Sequence, residues 1–333
     1  MNTNDSRVLP SPPSLIAALR AGFDSITNHI ALILFPIALD LYLWLGPHLR
    51  LKQLIESVVS QLVALYALQD SGARETLDVI KEAWMEVAAQ LNLFAALRSY
   101  PVGIPSMMAS LSPEAHPAGA PLMWEIDSLS GVFVVWVLIT GLGLAAGTLF
   151  FDVVSQAVLF GKIDWAETLE QWPKKILQVL LLALFWFGVL VGVSVPGSLI
   201  VSVVALGGLT LAQCALFFYG GLLLWLFFHL LLSPHGIFVY GQKALKSIQT
   251  SFLLTRQTWL STALFFLAVF ILGRGLDMLW QVPPETSWLA LVGVIGHGFV
   301  ATGLLAASFI YYRDAYQWMK NRSYRENILQ NRA

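Results

Sequence analysis

The chain has 333 residues, 57% of them hydrophobic and only 12% charged, with 12 tryptophans and a formal net charge of −1. Soluble domains carry about 25% charged residues. The deficit, with a mean hydropathy of +0.71, excludes a water-soluble enzyme or a nucleic-acid binder and points to a protein that uses the bilayer as solvent.

Residues 1–27 are polar and contain Pro10, Pro12 and Pro13. They hold no apolar h-region of a cleavable signal, so they read as a cytoplasmic tail. Leu15, Leu19 and Phe23 at helical spacing make its end an interfacial helix. The first transmembrane helix is expected over 28–48, interrupted by Pro36 and Asp40, and acts as an uncleaved anchor.

Residues 49–127 form an extracytoplasmic insertion. Leu51, Leu54, Ile55, Val58, Val59, Leu62 and Tyr66 recur at helical spacing, as do Leu77, Ile80, Trp84, Val87, Leu91 and Phe94 after a break at Asp70-Ser71-Gly72. The pattern predicts a helical hairpin with an acidic, solvated face. A proline-rich loop follows, with Tyr100, Pro101, Pro105, Met107 and Met108 forming an apolar, turn-rich stretch. Long loops of this kind are functional or packed down. It reads either as a lid or contact edge over the outer mouth or as a loop resting on the hairpin and headgroups.

A bilayer core of about 30 Å needs about 20 apolar residues per helix. The second span is expected over Ser128–Phe151. From Ile176 to Gln242 stand 67 residues without Asp, Glu, Lys or Arg, enough for two spans and too few for three. Their turn is placed near Val195-Pro196-Gly197-Ser198, with Gly207-Gly208 as the other position. The fifth span covers Trp259–Trp280 and the sixth Ser287–Tyr312, so residues 128–312 hold helices 2–6 and 313–333 form a basic tail. Six spans put both termini on one side. With that side cytoplasmic, 13 of the 19 basic residues lie inside, in agreement with the positive-inside rule. The lone cysteine, Cys214, lies in an apolar run; it has no partner for an intrachain disulfide and reads as a packing residue.

Three units are expected, each an interfacial helix followed by a membrane hairpin. The clearest interfacial helix is 237–252. Ile237, Ala244, Leu245, Ile248 and Phe252 fall on one face, and Gln242, Lys243, Lys246, Ser247, Gln249 and Thr250 on the other. Residues 153–172 give the second case, interrupted by Gly161.

Charges inside spans are costly and mark functional candidates. Asp40, Arg274, Asp277 and His297 qualify. At 1.5 Å of rise per residue, Asp40, Arg274 and His297 lie about 12, 9 and 15 Å below the outer ends of their spans. An Asp40–Arg274 pair with His297 nearby is the sharpest constellation. It would bind an anionic headgroup, relay protons or lock two helices. Gly143 and Gly147 form a small-xxx-small step, read as close helix packing. No H-E-x-x-H, phosphate-binding glycine loop, Cys/His cluster or G-x-S-x-G elbow occurs, so no catalytic residue, metal ligand or cofactor is assigned.

The segment Ala244-Leu245-Lys246-Ser247-Ile248, then Ser251-Phe252 and Arg256-Gln257-Thr258-Trp259 opening a span, resembles the membrane domain of bacterial glycerophosphodiester phosphodiesterases and related six-span bacterial membrane proteins. The resemblance covers roughly residues 153–312 and leaves out the insertion. It implies a fold and a plasma-membrane setting and no activity, since the phosphodiesterase barrel is missing. The expectation is an all-α, polytopic membrane protein that handles a lipid or small amphiphile in a transporter-like or accessory role. A structural or assembly factor, with the insertion as a protein-partner surface, is the alternative. An intramembrane enzyme using Asp40 and His297 ranks last. Membrane lipids are the expected partners, and nucleic acid is not.

Overall fold

Inside a bilayer no water meets the backbone, so an apolar chain closes its hydrogen bonds within helices. The computed structural model, which describes residues 13–67 and 74–330, follows that rule. It is an all-α polytopic membrane protein: five helices are long and apolar enough to cross a membrane, or six if one bent pair counts as a span.

The bent pair opens the chain. Helix α1 (Leu15–Asn28) starts on Ser14, whose hydroxyl accepts from the Ala17 N–H. The chain turns at His29 into a 3-10 helix, Ile30–Ile33, and continues as α2, Leu34–Leu45. The two arms meet at 96°. Only 30–45 therefore run in the second direction, roughly 25 Å of helix, shorter than the apolar run 28–48 implied.

The insertion carries α3 (Lys52–Ala67) and α4 (Arg74–Gln90), packed on each other as the expected hairpin; the joint at Asp70-Ser71-Gly72 lies outside the described residues. Next come a 3-10 helix, Leu93–Leu97, and α5, Met108–Leu111. Two short strands unforeseen in the sequence, β1 (His48–Arg50) and β2 (Met123–Glu125), pair in parallel and tie the two ends of the insertion together.

Helix α6 (Leu129–Phe160) ends on Gly161 with φ 67°, and Asp164 caps α7 (Trp165–Ala205) through the Ala166 and Glu167 N–H groups. Residues 153–172 are thus the ends of two long helices, with no separate interfacial helix between them. Helix α7 also continues through Pro196, where the sequence placed a turn. The chain turns at Gly207-Gly208 instead, with Gly208 at φ 120°. Pro196 costs the helix one backbone hydrogen bond, the one to the Gly192 carbonyl, and membrane helices tolerate such a loss.

Helices α8 (Leu209–Leu230) and α9 (Ser233–Tyr240) lead through Gly241 to α10 (Ala244–Gln257), followed by α11 (Trp259–Trp280) and α12 (Ala290–Gln330). Helix α10 keeps part of its amphipathic reading: Ala244 is buried, Ile248 packs on the core, and Lys243, Lys246 and Gln249 are exposed. The rest is reversed. Ser247, Thr250 and Ser251 are buried, while Leu245 and Phe252 point outward. Ser247 donates to the Ser233 carbonyl and Ser251 to the His229 carbonyl. The end of α8 leaves carbonyls without intrahelical donors, and in lipid a hydroxyl satisfies them while an apolar side chain loses nothing by facing outward.

Helix α12 is the axis of the bundle: 61% of its most apolar window is buried, against 11% for α7 and for α11. Small residues let α1 close on it. A Cβ at Gly22 would stand 2.5 Å from the Ala307 nitrogen.

Candidate functional site

The proline-rich stretch after α4 does not rest on the outside of the hairpin. Ser99, Val102, Ile104, Ser106, Met107 and Met108 are all buried, and Val102 and Ile104 belong to the main hydrophobic core with Ile26, Leu32, Leu144 and Phe150. The backbone of this stretch lies against α6. A Cβ at Gly143 would stand 2.4 Å from the Leu97 carbonyl oxygen, and one at Gly147 would stand 2.6 Å from Gly103 Cα. The two glycines read as a helix-packing step therefore form a cradle for the loop. Gly147 lies 18 residues into α6, about 27 Å along its axis, so the segment re-enters the helical layer. Irregular backbone at that depth is tolerated only where protein buries it or where it lines a cavity. Both conditions are met here.

Asp40 anchors this re-entrant segment. Its carboxylate Oδ1 accepts from the Ser106 hydroxyl at 2.5 Å and from the Met108 N–H at 3.0 Å. The expected Asp40–Arg274 ion pair is not formed. Asp40 is fully buried behind the loop, whereas Arg274 is exposed and opens onto the cavity described below. Similar depth along two helices does not bring their side chains together when a third element lies between. The charge partner of the cluster is Asp277: its Oδ1 bonds His297 Nδ1 at 2.7 Å, joining α11 to α12. Among the described residues, His297 Nε2 and Asp40 Oδ2, both buried, have no hydrogen-bond partner. Asp40 and His297 do not hydrogen-bond each other, but they lie close enough to interact electrostatically.

A cavity of about 400 Å³ opens between α11, α12 and the re-entrant segment. That is the size of a small-molecule site. Tyr100, Pro101, Pro105, Met107, Arg274, Asp277 and His297 line it; Asp40 and Met108 do not. The outer-loop group and the intramembrane charges, two separate candidates in the sequence, thus meet on one cavity.

Its ends differ. Toward the insertion stand two guanidinium groups, Arg98 and Arg274, with Gln281, Ser110 and the Asp277–His297 pair. Arg98 is held in place: it donates to the Ser106 carbonyl at 3.1 Å and the Ser110 hydroxyl at 2.9 Å, and lies over the Tyr100 ring. Arg274 has no hydrogen bond or ion pair among the described residues. The long wall is apolar, made by Phe266, Val269 and Phe270 of α11 and Val300, Leu304 and Leu305 of α12. At the far end His235 Nε2 bonds the Ser308 hydroxyl at 2.7 Å. From His297 to Ser308 the wall runs about 16 Å. Sequence spacing assigns no role to Arg98, Ser106, Gln281, His235 or Ser308. Arg98 stands two residues before the Tyr100-Pro101 turn and was legible as a loop-base charge; Ser308 carries no local signal.

Comparison of the chain with protein-family models, with curated proteins and with solved structures finds no match.

Proposed function

We propose that this is a non-enzymatic protein of the bacterial plasma membrane that binds a lipid or small amphiphile with an anionic head, in a transporter-like or accessory role. Both termini are placed in the cytoplasm and the insertion outside, on the distribution of basic residues. The observation that supports the reading is the polarity of one cavity, with two guanidinium groups at the insertion end and an apolar wall beyond them. Arginine is suited to phosphate and carboxylate groups because its planar fork donates two parallel bonds. The apolar slot accepts the attached chain without loss of hydrogen bonds.

The test is binding of dodecyl phosphate to the protein in nanodiscs of zwitterionic lipid, with dodecyl maltoside as the uncharged comparison. Dodecyl phosphate binds more tightly, and Arg274→Gln weakens it about tenfold, the loss of one charge-assisted hydrogen bond. Equal affinity for the two probes, or an unchanged Arg274→Gln variant, sinks the reading.

The insertion hairpin supports a second reading, as the partner surface of an assembly factor. Trp84 and Val87 of α4 and Leu91 just past its end fall on one stripe and are all exposed. In that case Trp84→Ser with Val87→Ser removes a fixed partner from the membrane complex and leaves dodecyl phosphate binding intact.

A further inference from the structure

Two further pockets lie around α10 and share no lining residue with the cavity between α11 and α12. Because the hydroxyls of α10 turn inward to the end of α8 and the start of α9, its apolar side chains Phe252 and Leu253 are left facing out. They close a crevice of about 510 Å³ against Phe185 and Val189 of α7 and Leu226 and Leu230 of α8. Its lining is almost wholly apolar, and in each spanning helix the two contributing residues are four apart, on one face. The crevice therefore runs along the membrane helices.

At the end of this crevice lies a smaller pocket of about 270 Å³, lined by Leu253, Arg256, Gln257 and Arg322. Leu253 is a wall of both. Among the described residues no acidic side chain lines either one. Arg256 has no hydrogen bond or ion pair among the described residues, and the Arg322 guanidinium lies over the Trp318 ring at 5.6 Å. The level of the pocket is set by Trp259, three residues after Arg256 and 63% exposed in the first turn of α11. An outward tryptophan at a span end marks the membrane–water interface. Arg256 therefore stands at headgroup height, and the crevice runs from there into the hydrocarbon.

We infer that α10 holds one anionic phospholipid, its phosphate between Arg256 and Arg322 and an acyl chain in the crevice between α7, α8 and α10. Basic pockets between membrane helices at the surface recognise anionic lipid headgroups in this way, and the adjoining apolar crevice fixes the source as a lipid rather than a free anion. The site is separate from the cavity between α11 and α12 and does not rest on the function proposed for it.

Native mass spectrometry of the full chain released from nanodiscs tests the assignment. The discs consist of phosphatidylcholine with a small fraction of phosphatidylglycerol. The wild type retains one phosphatidylglycerol. The double change Arg256→Gln with Arg322→Gln weakens retention roughly thirtyfold, the loss of two basic contacts at the surface. Lys246→Gln, on the same helix but lining neither pocket, retains the lipid. Leu253→Trp fills the crevice, leaves both arginines in place and releases the lipid; it carries the test alone if the arginine variant does not fold. Unchanged retention in either the arginine or the Leu253 variant overturns the assignment. So does an equal loss in Lys246→Gln, which reports only general surface charge. Displacement of the lipid by inorganic phosphate overturns it as well, since it reports a free-anion site.

Discussion

Residues 52–90 and residues 93–111 belong to one insertion and follow each other directly in the chain, yet they meet opposite surroundings. The first part is two regular helices with an amphipathic pattern, and it keeps Leu62, Leu65, Trp84 and Val87 exposed. Its helices pack on each other and make no comparably extensive contact with another element. The second part, mostly without regular secondary structure, is rich in proline, glycine and serine, and it is buried among α2, α6 and α12. What separates them is where the backbone finds its partners. A helix satisfies its own backbone and remains stable on the outside. An irregular segment enters the helical layer only if the protein supplies the missing bonds, and here Asp40, Arg98 and Ser99 supply them. The pattern of apolar residues alone ranks the two parts the wrong way round.

The strongest way to break this contrast is Asp40→Ala. It leaves the Ser106 hydroxyl and the Met108 N–H without their acceptor in a buried site, and costs about 3 kcal/mol. Thermal unfolding in detergent reads the loss, and trypsin cleavage at Arg98 reads release of the segment. Combined with Arg274→Ala the two effects add, because the residues share no contact; a rescue by the second change restores the ion pair that the geometry rejects.

Gly147→Ala tests the cradle from the other side. Its Cβ meets the backbone of Gly103 and Val102, where no flexible side chain can give way, and overpacking costs about 2 kcal/mol. A variant as stable as the wild type, with Arg98 equally protected from trypsin, places the loop elsewhere.

His48 lies at the joint between the spans and the insertion, and sharpens the comparison by pH. Its Nε2 faces the Leu43 carbonyl and its Nδ1 faces the Arg50 guanidinium, each at 3.3 Å. The neutral ring with its proton on Nε2 satisfies both. Burial first, and the Arg50 charge second, hold its pKa below the usual 6.5. The folded state thus binds the proton less readily than the unfolded one. Stability is present above pH 6.5 and declines as pH falls below it, by at most about 1.4 kcal/mol per pH unit. His48→Gln flattens that slope between pH 6.5 and 5; an unchanged slope assigns it to another group.

The smallest effect is expected in the hairpin. Trp84 is 52% exposed, so Trp84→Ala changes the unfolding free energy by no more than about 0.5 kcal/mol. The Trp84 share of the fluorescence, isolated by this variant, is quenched readily by acrylamide. A shielded Trp84 gives the hairpin a packing partner within the bundle and removes the contrast.

The sequence by itself determined the class and, the first span apart, the apolar runs that become the long helices. Charge-free runs must become helices in lipid, and nothing else competes for them. It also picked out the charges Arg274, Asp277 and His297 and the Tyr100–Met108 stretch, because an apolar membrane segment makes any ionisable or turn-forming residue conspicuous. Only the tertiary structure decided how these combine. Pro196 marked a turn in the sequence and stays inside α7, because membrane helices tolerate proline. Ser247 and Thr250 of α10 marked a polar face and turn inward, because in lipid the scarce commodity is a hydrogen-bond donor rather than an apolar contact. Asp40 and Arg274 matched in depth and are kept apart by a loop whose path no periodicity encodes. That loop brings Arg98 and Tyr100 to α11 and α12 through contacts with glycines far along the chain, and such long-range packing has no signature in local spacing.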